Sequence, residues 1–345
     1  MKKPIVVVGG FMSRKEYNNG DVWSDGNAFN FKKNMRAAGL SPSDAFFTNV
    51  FNMLPPGKIS PFTFFGGKRE GVPHLKPIKK GKYLKKEFMP ELERLWAQIE
   101  GYDPNLVIAC GELATWAVCT GDNMIEASRG RVTEGNAAIS RRKVLPVYEQ
   151  STMFGDYGME TIQRFDLIKA LRESQSKEFT RPRRFLHIEP TLEDLEDFYQ
   201  EYIVPSDYLS SDIETKGDMI TCISFAPSED RALVVPFFSE ETPDGNYWRT
   251  YREEYLAWIF CRKLLTAGKR VAGQNYQFDM QHELRSMAIP NPDVTDDTML
   301  LHHVLHPELK KGLGFLASIY TDEIQWKGMH KISSTDKNAK KGEAE

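Results

Sequence analysis

Asp212 and Glu214 close the run Tyr-Leu-Ser-Ser-Asp-Ile-Glu-Thr, whose pattern predicts a strand. Side chains alternate along a strand, so the two carboxylates share one face. Hard anionic oxygens in that arrangement suit Mg²⁺ or Mn²⁺. Two such ions about 3.5 to 4 Å apart can both generate a hydroxide and stabilise a departing 3′ oxygen in phosphodiester hydrolysis. A third acid, Asp279, stands early in a predicted helix in Asn275-Tyr-Gln-Phe278-Asp279, just after a predicted strand at Arg270 to Gly273. Each feature also has a plainer explanation. Acids at strand ends decorate turns, and Asn275 can cap a helix whose first turn favours Asp279. A second Asp-x-Glu, Asp194-Leu195-Glu196, lies in a helical pattern, where residues two apart diverge by about 200°. It is read as a solvated face.

The elements that must hold these residues fall into two sets. From Ile5 to Glu173, apolar runs alternate with helical patterns: strands at Ile5 to Val8, Ala45 to Val50, Leu106 to Cys110 and Val144 to Tyr148, with helices near Phe29 to Ala38, Lys86 to Ile99, Glu112 to Val118 and Thr161 to Glu173. Such alternation predicts a parallel α/β/α sandwich. The charged stretch Ser174 to Arg184 lacks apolar periodicity and is read as a linker. Beyond it, strands at Arg184 to Ile188, Tyr208 to Ile213, Met219 to Phe225 and Arg231 to Pro236 precede alternating helices and the strand at Arg270. That order suits a mixed sheet of the ribonuclease H-like kind. The expected division is residues 1–174, linker 175–184, and 185–345. Both domains are of the α/β class.

A chain of 345 residues fits two cores. No apolar run approaches the roughly 20 residues of a membrane span, and the start lacks a signal-peptide pattern. A cytoplasmic location without membrane contact is expected, the host cytoplasm if the gene belongs to a phage. Cys110, Cys119, Cys222 and Cys261 show no metal spacing and are expected as reduced, buried thiols, with no iron-sulfur cluster. The net charge of -3 gives no general attraction for nucleic acid. One stretch departs from this. Between Lys58 and Lys86, nine cations face the single acid Glu70, with Phe62, Phe64, Phe65 and Tyr83 among them. The composition suits a backbone-tracking groove with stacking aromatics, or a solvated loop. Arg129, Arg131, Arg141, Arg142 and Lys143 are candidates to extend it.

Taken together, Asp212-x-Glu214, Asn275-x-x-x-Asp279, Asp297-Thr298-Met299-Leu300 and the segment His303 to Tyr320 with Gly312-Leu313 and Leu316-Ala317 resemble DnaQ-like 3′ to 5′ exonucleases, the proofreading domains of family A DNA polymerases. The resemblance implies Asp212 as a bridging metal ligand, Glu214 as a ligand orienting the attacking water, and Asp279 as an outer-shell or second-ion ligand. It also implies Asn275 and Phe278 beside the substrate strand. The family closes its site with a Tyr or His four residues before an aspartate. Neither Tyr320 with Ile324 nor His330 with Ser334 supplies that pair. The expectation is an amino-terminal piece of a longer polymerase or a split gene product, with a DNA polymerase domain, fused or separate, as partner.

The first half resembles uracil-DNA glycosylases. Gly9-Gly10 follows the opening strand with Glu16 downstream, Phe47-Thr48-Asn49-Val50 resembles the family's Thr-Asn-Val strand, and Leu145-Pro-Val-Tyr148 precedes a helix. The resemblance implies a pocket formed by Gly9, Phe11, Trp23, Asn49 and Glu149, with Asn49 reading a base edge and Trp23 stacking on a flipped base. Two loops depart from it. Gly10-Phe11-Met12-Ser13 lacks the usual acid or amide and proline, and Glu149-Gln150-Ser151 replaces His-Pro-Ser, removing the cation expected beside a developing uracil anion. Three readings follow: an exonuclease on single-stranded or frayed 3′ DNA ends joined to a non-excising, DNA-holding domain; a non-catalytic DNA-binding or polymerase-assembly piece; and an active glycosylase of unusual preference. The tandem of domains resembles some bacteriophage polymerases.

Overall fold

Along the first strand, β1 (Ile5–Phe11), Val6 and Val8 enter one buried cluster while Ile5 and Val7 enter another. The two-residue period of a strand requires this sorting. The computed structural model describes residues 4–120, 125–153, 157–179, 183–288 and 295–323. After β1 come α1 (Arg14–Asn19), α2 (Gly26–Ala37), β2 (Ala45–Phe51), a small hairpin of β3 (Phe65–Gly66) and β4 (Tyr83–Leu84), and α3 (Met89–Tyr102). Then follow β5 (Leu106–Cys110), α4 (Gly111–Val118), α5 (Ile125–Ser128), β6 (Thr133–Glu134), β7 (Lys143–Val147) and α6 (Tyr157–Glu173). The sheet order is β2-β1-β5-β7-β6, parallel except for β6.

Helices cover both faces, as a buried parallel sheet requires. Leu92, Leu95 and Ile99 of α3 recur at helical spacing and pack on the Val6 side; Phe31 and Met35 of α2 and Leu167 and Ala170 of α6 pack on the Ile5 side. The basic stretch is partly folded into this core. Phe64 and Phe65 are fully packed there, which corrects the expectation that they stack on nucleic acid. Phe62 remains exposed, with Lys79 Nζ 4.7 Å from its ring centre.

The rest of the chain forms β8 (Phe185–His187), α7 (Leu192–Phe198), a π-turn at Tyr199–Ile203, β9 (Tyr208–Lys216), β10 (Met219–Ser228), β11 (Arg231–Pro236), α8 (Tyr251–Leu265), β12 (Arg270–Gly273), α9 (Gln277–Met287), β13 (Thr295–Asp297), α10 (Thr298–Leu305) and α11 (Leu313–Tyr320). Its sheet order is β13-β12-β9-β10-β11-β8. β10 is antiparallel to β9 and β11, while β12 and β13 run parallel to β9. Apart from β8, this is a ribonuclease H-like order of third, second, first, fourth and fifth strands. Asp194 and Glu196 lie on α7, where Asp194 closes a capping box with Thr191 and Glu196 accepts from Gln200.

Two compact units result: Met1–Thr180 together with the segment from Gly314, and Arg181–Leu313. The helix α11, grouped above with the second half, thus belongs almost wholly to the first unit. There Arg129, 3% exposed, pairs with Asp166, 1% exposed, at 2.9 Å and also donates to Ser318 Oγ. Lys169 Nζ donates to Gly130 O at 2.7 Å, Ser318 O at 3.0 Å and Thr321 O at 2.7 Å, and Arg131 to Gly314 O at 2.7 Å. Lys169 thus satisfies two carbonyls at the carboxyl end of α11, where the helix leaves its acceptors unpaired. Arg129, Arg131 and Lys143 are buried and Arg142 is held by Glu100 and Asp103, so only Arg141 of that basic group is exposed. Cys110, Cys119 and Cys261 are buried free thiols; Cys222 is half-buried. Among the described residues, no helix is long and apolar enough to cross a membrane. The linker positions 180–182, Ile324, His330 and Ser334 weighed for a third exonuclease motif, and the polar end from Lys337 lie outside the described residues.

Candidate functional site

In the first unit, the register of β1 on β2 sets Gly9 beside Asn49. A Cβ on Gly9 would lie 2.3 Å from Asn49 Oδ1 and 3.1 Å from the Trp23 ring, so only glycine permits this approach. Here the carboxyl ends of β1, β2, β5 and β7 border a cavity of about 350 Å³, lined by Gly9, Phe11, Trp23, Asn49 and Glu149 together with Gln150, Cys110 and Glu16. Ligands of open α/β sheets bind at this edge. The five residues expected to form a pocket therefore meet in one place.

Their roles differ. Asn49 is 3% exposed, and its Nδ2 has no hydrogen-bond partner. A buried donor left so costs about 1 to 3 kcal/mol. Trp23 is held hard. Its backbone takes the left-handed φ of 56°, its N–H donates to Glu16, its Nε1 donates to Thr48 O at 2.9 Å, and Phe31 and Phe47 pack on its ring. It forms a fixed wall. Glu16 also closes a capping box with Ser13, so one carboxylate ties α1 to the Trp23 turn.

Glu149 lies against the start of α4, where Gly111 has a φ of +84° and an added Cβ would meet Glu149 Oε2 at 3.2 Å. Burial pushes its carboxyl above the usual range, partly offset by Ser151. Next to it, Gln150 Oε1 is buried without a partner. Gln150 was not among the expected residues, although the altered Glu149-Gln150-Ser151 loop was a pointer to it.

In the second unit the burial of β9 alternates, so Asp212 and Glu214 stand exposed on one face while Leu209, Ser211 and Ile213 point inward. Pairing of β12 with β9 ends at Ser210 and Ala272. Beyond that point Asp279 Oδ1 accepts from Ile213 N at 3.0 Å. Asp279 is 3% exposed, and its carboxyl is pushed up to about 6 by burial, against the Ile213 hydrogen bond and with repulsion from Asp212. The third acid therefore lies within electrostatic reach of Asp212.

Asn275 does not cap α9. It is exposed at φ 58°, and the N-cap is Tyr276. Asp297 fixes this turn by accepting from Asn275 N at 3.0 Å and Tyr276 N at 2.9 Å while also capping α10. Phe278 is exposed, with its ring centre 4.5 Å from that of His282. Sequence reasoning passed over Glu283, 1% exposed and pushed up to about 7 by burial and then by Asp279. Tyr276 Oη lies 3.5 Å from both Glu283 oxygens. The i, i+4 spacing from Asp279 was its available signal.

Two exposed carboxylates suit a divalent ion whose remaining ligands are waters and substrate phosphate. Among the described residues, however, no group of three or more His, Cys, Asp or Glu is placed to hold a metal. The described donors do not make a complete two-ion cage.

No curated protein matches the chain. Solved structures similar to it include the Trypanosoma brucei RNase D complex with RNA U12, at 12% identity and TM-score 0.32, covering 43% of this chain and 50% of that one. Another is the Aedes aegypti Nibbler EXO domain, at 11% identity and TM-score 0.27, covering 37% and 60%. The match thus spans half the length of the first and under two thirds of the second. Residues 2–170 match the family model of the uracil DNA glycosylase superfamily, so the first unit contains a glycosylase-like domain.

Proposed function

We propose that this chain processes DNA, the second unit removing nucleotides from single-stranded or frayed 3′ ends and the first unit holding an extruded base without excising uracil. The observation that carries the nuclease reading is the placement of Asp212 and Glu214 on the open face of the central strand, with Asp279 of α9 coupled to Asp212. Asp212 and Glu214 would hold Mg²⁺ or Mn²⁺, which supplies an activated water and charge neutralisation at phosphorus. Asp279 ties α9 to β9 through Ile213 N, and Asn275 and Phe278, exposed in the same segment, would contact the substrate strand. Phe278 offers a face on which a terminal base can stack. A proofreading role beside a polymerase domain agrees with the sequence resemblance.

In the first unit, Asn49 supplies a donor to a base edge. By the sequence resemblance Glu149 takes the place of the cation that uracil excision needs, and a carboxylate there would repel the departing uracil anion.

A second reading, DNA binding without hydrolysis, is favoured by the lack of a three-donor group among the described residues. A 5′-labelled single-stranded oligonucleotide incubated with Mn²⁺ separates the two. The exonuclease predicts a ladder that EDTA removes and that the Asp212→Ala, Glu214→Ala double variant lowers by at least about a hundredfold. Binding that weakens with salt and yields no ladder would establish the second reading.

A further inference from the structure

We propose that the basic lobe between β2 and α3, residues 58–86, binds the phosphate backbone of single-stranded DNA beside the mouth of the first unit's cavity. This rests on the reading that the first unit handles DNA. The stretch sets nine cations against the single acid Glu70 in a chain whose net charge is -3. It is a folded piece and not a loose loop. Phe64 stacks on Phe51 with ring centres 3.9 Å apart, and Phe65 meets Trp116 edge-on at 5.0 Å. Trp116 Nε1 donates to Lys76 O at 2.9 Å, and Lys76 Nζ donates to Cys119 O at 2.8 Å.

The remaining cations stand on that fixed backbone. Lys68 and Arg69 occupy one turn, closed by Gly71 N donating to Gly67 O at 3.1 Å; Lys80 lies in a second, closed by Lys82 N donating to Lys79 O at 2.8 Å. Lys58, Lys68, Arg69, Lys80, Lys82 and Lys86 are exposed and have no acid partner among the described residues, whereas Lys79 lies 3.6 Å from Glu112. Like charges crowded on one lobe repel each other, so a polyanion that neutralises several at once gains both from that relief and from released counterions. Two apolar groups favour a nucleic acid over other polyanions. Phe62, 36% exposed among these cations, is an aromatic on which a base can stack. Ile59, 69% exposed, lines the cavity itself, so Lys58 adjoins the place where an extruded base would enter.

The test is binding of the whole chain to a fluorescein-labelled single-stranded oligonucleotide in EDTA, followed by anisotropy across a NaCl series. Lys68→Gln, Arg69→Gln, Lys80→Gln and Lys82→Gln together should weaken binding at least about tenfold. They should also make the slope of log affinity against log salt shallower by about 2 to 3. A matched set of exposed cations elsewhere, Lys33→Gln, Arg36→Gln, Arg249→Gln and Arg252→Gln, removes the same charge and should leave affinity within about threefold. In the wild type, DNA should protect Lys80 and Lys82 from acetylation as read by mass spectrometry, a measurement independent of how the variants fold. Equal losses from the two sets, no loss from the first, or no protection overturns the proposal, while wild-type binding leaves the DNA reading standing. Absence of wild-type binding to DNA, including the case in which phosphatidylglycerol vesicles bind instead, overturns both.

Discussion

In the first unit Asn49 and Glu149 line a half-open cleft backed by the packed Trp23 ring, whereas in the second Asp212 and Glu214 stand exposed on one strand face. The cleft brings a ligand against largely buried polar side chains such as Asn49, where a mismatched group is costly. The open face leaves its carboxylates exposed, as suits an ion that brings its own waters and phosphate oxygens. A recessed cleft suits the holding of a single base. Openness suits a site that must accept any strand end.

Substitutions test this contrast through stability as well as activity. Arg129→Met leaves Asp166 buried with only Lys169 near it, and should cost about 3 to 5 kcal/mol in urea unfolding of the first unit. A loss below about 1 kcal/mol would mean that water reaches Asp166. Next in size is Gly9→Ala, whose Cβ would displace Asn49. About 1 to 3 kcal/mol of destabilisation is expected, with loss of nucleoside binding, and unchanged binding would refute the fixed-wall picture.

The smallest effect concerns Glu283. Its folded value of about 7 lies above the ordinary 4.5, so the folded state keeps this proton longer than the unfolded chain. Its contribution is full below about pH 4.5 and is lost as pH rises through about 7. Glu283→Gln should therefore flatten the decline in the unfolding midpoint of the second unit between pH 5 and pH 7.5. An unchanged slope would assign the decline to other groups.

Much of the scaffold was legible because burial leaves a plain mark on sequence. Ile5 to Val8, Leu106 to Cys110 and Val144 to Val147 are apolar runs too short for helices, and they became strands of the first sheet. The cavity residues were named from the resemblance to uracil-DNA glycosylases, Gly9 and Phe11 lying at the end of β1, Asn49 within β2 and Glu149 after β7. Other features carried misleading chemistry. Thr295–Asp297 is a strand of low β-propensity, formed because β12 pairs with it. Phe64 and Phe65 sit among lysines yet are core, and Arg129 is an arginine buried by its partners. Neither composition nor period could reveal those partners, which lie far away in sequence. The same holds for α11, which chain order alone assigns to its sequence neighbours.

The return of α11 to the first unit makes the second an insertion within it along the chain. A gene fragment ending at residue 174 would encode the whole first sheet but lack Ser318 and Thr321, leaving Lys169 without two of its three carbonyl acceptors. The glycosylase-like unit is therefore not separable by a single cut, and recombination that exchanges one unit must respect two junctions.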